Sequence, residues 1–338
     1  MDGINIVRFP KLGLELEINR VAFRIFGFPI YWYGIIISAG LFLAVYLGLR
    51  NCKKFGIKSD HVFDIVLYGL PSAVIGARLY YIIFNWHEFN GDIMKMINIR
   101  EGGLAIYGGL IGAVLSTYIY TKVKKIDFLA VADLGGPYFV MAQGIGRWGN
   151  FVNQEAFGRN TNLPWGMHSN AIQEYLERLG DSSIDPLAPV HPTFLYESIW
   201  DFCVFLFLLW YRKRYKVKGE LFFLYMMLYG VGRAWIEGLR TDSLYIGGTN
   251  IRVSQLLAIT FAVVFAAVIF IRRRRCLGET PVYNTSAGTD IEESTDTQTN
   301  ANIVENEDAE VNAINDASVS HEVNSEMNSD AGTQAQEK

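Results

Sequence analysis

"LGGPYFVMAQGIG" (residues 134–146) runs without a break into "RWGNFVNQEAFGR" (147–159), and the reading of this junction decides the fold. Gly144, Gly146 and Gly149 spell GxGxxG, the pattern of a dinucleotide-binding turn. Such a turn follows a strand and opens a helix inside a soluble βαβ unit, with an acidic residue about 20 positions on. Here the glycines close a helix-length apolar stretch, and Arg147 and Trp148 occupy the interior of the pattern. The segment therefore reads as a membrane-spanning helix whose end carries a dense polar motif.

Composition agrees. The chain has 338 residues, 51% of them hydrophobic and 14% aromatic, with a mean hydropathy of +0.18, which places it among membrane proteins. The net charge of −4 hides two populations, because residues 276–338 hold fourteen of the 34 acids and one of the 30 bases. That segment has too few apolar side chains to offset chain entropy and is expected to be a disordered acidic tail. Cys52, Cys203 and Cys276 lie far apart with no CxxC spacing, so neither a disulfide framework nor a zinc site is expected. The N-terminus lacks the pattern of a removable signal peptide.

A bilayer core about 30 Å thick takes roughly 17 to 25 apolar residues as helix. Seven stretches qualify, near residues 29–49, 61–84, 104–121, 128–146, 194–211, 219–238 and 253–271. Basic clusters follow the odd ones: Arg50, Lys53, Lys54 and Lys58, then Lys122, Lys124 and Lys125, then "RKRYKVK", then "RRRR". Positive charge stays in the cytoplasm. The expected fold is thus an all-α polytopic membrane protein of seven transmembrane helices, N-terminus outside and acidic tail inside. A transmembrane domain spans 1–275, and an outer-side head of about 147–193 lies between the fourth and fifth helices.

A charge at mid-membrane costs at least ~2.5 kcal/mol on insertion scales, so intramembrane ions mark cavities and function. Arg78, Asp133, Arg147, Glu155, Glu197, Arg233 and Glu237 form such a set. Arg233 and Glu237, four apart, share a helix face and can pair. Arg78 and Asp133 fit structural ion pairs as readily as a functional role. Arginine keeps its charge at low dielectric and its planar fork matches phosphate oxygens, so Arg147 and Arg233 near the outer interface suggest a lipid phosphate. Asn150 and Asn153 supply amides suited to a headgroup hydroxyl or to a helix cap. Gly108, Gly109 and Gly112 in "YGGLIG" permit close helix contact. No HExxH or GxSxG occurs, which disfavours a zinc protease or serine hydrolase. His191 is the one histidine attached to a polar motif at a membrane boundary.

Four motifs, "EGGLAIYGGLIG" (101–112), "GRWGNFVNQEAFGR" (146–159), "HPTFLYE" (191–197) and "YGVGRAWIEGLR" (229–240), together resemble the prolipoprotein diacylglyceryl transferase family in order and spacing, over about residues 28 to 272. The resemblance implies transfer of the diacylglyceryl group of phosphatidylglycerol to the lipobox cysteine of a prolipoprotein in the bacterial plasma membrane. A thioether forms and glycerol 1-phosphate is released. It places Arg147, Asn150, Asn153 and Gly158 at phosphatidylglycerol-binding positions and Tyr107, Glu155, Tyr229, Arg233 and Glu237 at catalytic ones. Its partners are phosphatidylglycerol, prolipoprotein signal peptides and membrane lipids; neither nucleic acid nor a metal or organic cofactor is implied. The family often has histidine where this chain has Tyr107, and a phenol holds its proton more tightly than a thiol does. Tyr107 is therefore expected to donate a hydrogen bond or to pack, and Glu155, Glu237 or the field of the arginines to activate the thiol. Hydropathy alone also admits a transporter or a membrane receptor, though the halves show no symmetry and the polar motifs gather toward one face.

Overall fold

The computed structural model describes residues 4–89, 91–99, 102–241 and 252–275; the acidic tail expected from residue 276 onward lies outside them. The chain is mostly helical. Its helices are α1 (Trp32–Asn51), α2 (Ser59–Phe84), the short α3 (Trp86–Phe89) and α4 (Ile93–Ile97), α5 (Ile106–Val123), α6 (Phe128–Asn153), α7 (Asn170–Leu179), α8 (Thr193–Tyr211), α9 (Glu220–Glu237) and α10 (Val253–Arg275). Helices thus occupy all seven apolar stretches. Five helical segments suit a membrane crossing by length and composition: Trp32–Phe55, Ser59–Phe84, Phe128–Asn153, Thr193–Tyr211 and Val253–Arg275. Phe42, Leu67, Ile75, Ile111, Val263 and Phe270 stand exposed on their outward faces, the arrangement hydrocarbon solvent asks for and water does not.

The central helix is α6, packed against α1, α8 and α9. Asp127 caps its start by accepting from Leu129 N at 2.9 Å, and it ends at Gln154, whose left-handed backbone (φ 55°) turns the polar motif back on itself. The apparent nucleotide pattern lies inside this helix. There Gly149 lets the Tyr33 ring approach, since a Cβ would meet Tyr33 Cδ2 at 2.7 Å. The "YGGLIG" glycines do what small residues do between membrane helices: a Cβ on Gly108 would overlap the Gly76 carbonyl, and one on Gly112 the Ser72 carbonyl, so α2 and α5 touch backbone to backbone.

Two small sheets, unassigned by the sequence reading, complete the structure. β1 (Ile4–Phe9) pairs antiparallel with β2 (Leu14–Asn19), Val7 opposite Leu16. A hairpin of β3 (Val21–Ile25) and β4 (Phe28–Tyr31) then leads into α1. The two-residue β5 (His168–Ser169) joins the other edge of β1. The expected head around 147–193 therefore forms together with the N-terminal strands. Its core includes Val7, Phe151, Met167, Ile172, Val190 and Phe194, each contributing about 1.5–3 kcal/mol of burial and fixing the ends of α6 and α8 beneath it.

Candidate functional site

Glu197 lies one turn into α8 and is 5% exposed. A carboxylate so buried persists only with compensating partners, and three arginines supply them. Arg147 Nη2, from the last turns of α6, stands 2.6 Å from Glu197 Oε2. Arg233 Nη1, from α9, stands 3.0 Å from Oε1, and Arg240 Nη1, just past α9, 3.4 Å from the same oxygen. Arg233 also reaches Glu237 through Nη2 at 2.7 Å, the pairing expected from their spacing. Glu237 is 2% exposed, and its backbone carbonyl accepts from Arg252. The Arg147 and Arg233 side chains remain 21% and 20% exposed, so their forks are held from one side and open on the other. Tyr229 and Asp201 line a small cleft against Glu197 and Arg233.

A second corner forms where α6 ends. Asn150 Nδ2 and Asn153 Nδ2 both donate to Glu155 Oε1, at 2.9 and 3.3 Å, so the two amides hold the carboxylate. Arg20 Nη2 donates to Asn153 O at 2.7 Å, tying the N-terminal segment to this corner. Tyr33, at the start of α1, lies within electrostatic reach of both Glu155 and Arg147. Gly158 is pressed against the loop before α8: its N–H donates to His191 O at 2.9 Å, and a Cβ there would meet His191 Cβ at 2.8 Å and Leu239 O at 2.9 Å. It shapes the site through backbone approach. His191 exchanges a hydrogen bond with Tyr196 OH at 3.1 Å, and burial pushes its imidazole below the ordinary value.

The structure gathers Arg147, Tyr229, Arg233 and Glu237 into one cluster and Asn150, Asn153 and Glu155 into the adjoining corner. Tyr107 stands apart. It is 59% exposed in the first turn of α5, its ring 6.5 Å from Tyr80, and no hydrogen bond joins it to the cluster among the described residues. Arg78 and Asp133 are structural, yet neither forms an ion pair among the described residues. Arg78 donates to the carbonyls of Lys95, Met96, Asn98, Gly102 and Gly103 at 2.6 to 3.0 Å, gathering the segment that leads to Tyr107. Asp133 accepts from Gly219 N at 2.6 Å and Phe222 N at 3.0 Å, capping α9 from α6. Sequence reasoning had not placed Arg240, Arg20 or Tyr33 in the site. Arg240 follows Glu237 by three residues, a spacing that permits a pair but does not by itself set it apart from any arginine just beyond an apolar run.

The family model for prolipoprotein diacylglyceryl transferase matches residues 20–271. The chain belongs to this family. It is 46% identical over 244 residues to the phosphatidylglycerol–prolipoprotein diacylglyceryl transferase of Clostridioides difficile (strain 630), covering 71% of this chain and 90% of that one. To the transferase of the same name from Finegoldia magna it is 44% identical over 252 residues, 74% and 94% of the two chains. To that of Bacillus cytotoxicus it is 43% identical over 265 residues, 78% and 95%. The prolipoprotein diacylglyceryl transferase match thus takes in the part of the head between α6 and α8, the arginine cluster and the long helices as far as residue 271.

Proposed function

We propose that the chain transfers the diacylglyceryl group of phosphatidylglycerol to the lipobox cysteine thiol of a prolipoprotein, the first step of bacterial lipoprotein maturation. The observation that carries this reading is the Glu197 hub: one buried carboxylate orients Arg147 and Arg233 with their forks part open. Family membership and the relatives' names supply the substrates. In the reaction the thiol sulfur attacks the glyceryl carbon that bears the phosphate ester. The carbon–oxygen bond breaks, its electron pair leaves on the phosphate oxygen of glycerol 1-phosphate, and a thioether remains.

The demand on the protein is to stabilise charge developing on that oxygen with donors already in place. Arg147 and Arg233 hold the phosphate, Glu197, Glu237 and Arg240 keep their forks from collapsing, and Asn150 and Asn153 meet the headgroup hydroxyls. Glu155, exposed and steadied by both amides, takes the thiol proton. Tyr229 closes the cleft behind Arg233. Tyr107 donates to the lipid from α5, with the lipid itself bridging to the arginines.

The same reading sets seven spans, with α5 and α9 filling the charge alternation. Each has 18 residues, about 27 Å of helix. The N-terminus and head then face outward from the bacterial plasma membrane, and residues 276–338, which follow α10, lie on the cytoplasmic side. The supporting observation is that basic ends meet: Arg212 reaches Asn51 Oδ1 at 3.3 Å, and Lys218 pairs with Asp127 at 3.0 Å. Purified protein with phosphatidylglycerol and a lipobox peptide tests the activity. Diacylglyceryl-peptide mass and an equal amount of glycerol 1-phosphate are expected; peptide binding without either product refutes it.

A further inference from the structure

A cavity of about 1410 Å³ opens between the head, α1 and the end of α6. Pockets for small molecules run to roughly 300–1,000 Å³, so this space suits a longer occupant. Two buried polar atoms on its wall have no hydrogen-bond partner among the described residues: Oε1 of Gln154, a residue only 4% exposed, and Nε of Arg20. Leaving such groups unpaired costs about 1–3 kcal/mol each.

Charge separates this cavity from the arginine cluster. Arg20 and Arg178 on its wall are balanced by Glu155 and Glu174, so it carries no cation excess to attract a phosphate. Its shape is also that of a peptide site. Ile35, Ser38, Ala39 and Phe42 line it from α1, and their spacing puts them on one helix face over about 10 Å of axis. Gly34 on the same wall has open space where a Cβ would stand. Small residues of this kind let a second apolar helix approach closely, and Phe42, 74% exposed, marks the end toward the hydrocarbon. At the other end, β4 pairs among the described residues with β3 alone and lends three consecutive residues, Pro29, Ile30 and Tyr31, to the wall. A free strand edge accepts an extended segment. Glu155 and Tyr33 also line the cavity, and Tyr33 lies within reach of Arg147, so the space adjoins the phosphate site.

We propose that this cavity docks the protein acceptor. The apolar helix of a signal peptide packs on the Gly34–Phe42 face of α1, and the extended segment that follows runs along β4 and brings its cysteine thiol to Glu155. The proposal rests on the transferase reading above and adds that the two substrates enter by separate walls and meet at Tyr33.

The test uses the full chain in phosphatidylglycerol vesicles. Ala39→Trp fills the groove from an exposed position; the KM for a lipobox peptide should rise about tenfold, with kcat and the KM for phosphatidylglycerol unchanged. Independently, a benzophenone side chain at position 42 should crosslink to the peptide and be competed by unlabelled peptide. A rise in the lipid KM with the peptide KM unmoved, or crosslinking to a photoreactive phosphatidylglycerol in place of the peptide, overturns the proposal in favour of a lipid occupant. Two unchanged KM values overturn it outright. Should Ala39→Trp fail to insert, the crosslink decides. Failure of the transferase reading looks different: the parent chain would release no glycerol 1-phosphate while the peptide crosslink still formed.

Discussion

Replacing Glu197 with glutamine removes one negative charge from the midst of three guanidinium groups, at 2.6, 3.0 and 3.4 Å, while keeping the side chain's size. The amide oxygen still accepts one hydrogen bond, but its NH2 now turns a donor toward donors. A hydrogen bond to a charged group is worth about 1.5–3 kcal/mol, and breaking a buried pair outright costs about 3–5 kcal/mol. With one acceptor retained, a loss of about 2–4 kcal/mol in stability is expected, read as a lower unfolding temperature by tryptophan fluorescence. Turnover should suffer independently, because Arg147 and Arg233 lose the anchor that aims their forks. A misplacement of about 1 Å is enough to cost roughly 10²-fold in rate. The assay is glycerol 1-phosphate release from phosphatidylglycerol vesicles with saturating peptide, per mole of folded protein. Glu197→Gln should lower kcat about 10²-fold with the peptide KM unchanged, and Glu197→Asp, which keeps the charge, should recover part of it. If folded Glu197→Gln turns over within about threefold of the parent, Glu197 does not position the arginines and the account of the site fails.

Arg147→Lys keeps charge but not the fork, so turnover should fall severely with the protein still inserted; near-parental rates would remove Arg147 from the phosphate role. Gly158→Ala should destabilise the chain by about 1–3 kcal/mol, because the new methyl meets His191 Cβ and Leu239 O; an unchanged melting curve would contradict the packing described. Tyr107→Phe should lower kcat roughly 10²- to 10³-fold if its hydroxyl donates in the transition state, whereas an unaltered rate would reduce the residue to packing. Deleting residues 279–338 should leave vesicle activity intact, and a collapse of turnover at equal protein level would refute the tail's place across the membrane from the site.

The helices and most of the cluster were legible because a membrane taxes charge. Arg147, Glu197, Arg233 and Glu237 stand out of apolar runs, and their chemistry follows from being there at all. Arg240 was hidden: it sits beyond the apolar run, where an arginine is ordinary, and only the turn after α9 returns it to Glu197. Arg20 was hidden for the same reason, 133 residues from the Asn153 carbonyl it meets. The strands escaped because they are short, β5 being two residues long, and because β2, although it alternates apolar and polar residues as LELEIN, spans only six positions and leaves most of its side chains exposed, so it forms no buried face of the kind that marks a core strand. Arg78 could be flagged but not explained, since its partners are backbone carbonyls and any residue type supplies those.

The Asp133 cap has a consequence for how the chain is made. Its carboxylate sits in the second turn of α6 at 1% exposure, and the N–H groups it satisfies belong to residues 86 and 89 positions later. During synthesis, therefore, α6 enters the membrane well before its partners exist, with a carboxylate whose hydrogen bonds await the start of α9. Until then the nascent chain carries an unmet polar group near the start of its central helix, and the arrival of α9 satisfies that group and the orphan amides of its own first turn in one event. Assembly is thereby ordered from the C-terminal half: a ribosome that stalls after α8 leaves a bundle with its most buried acid unpaired, a chemical mark that distinguishes the unfinished chain from the finished one.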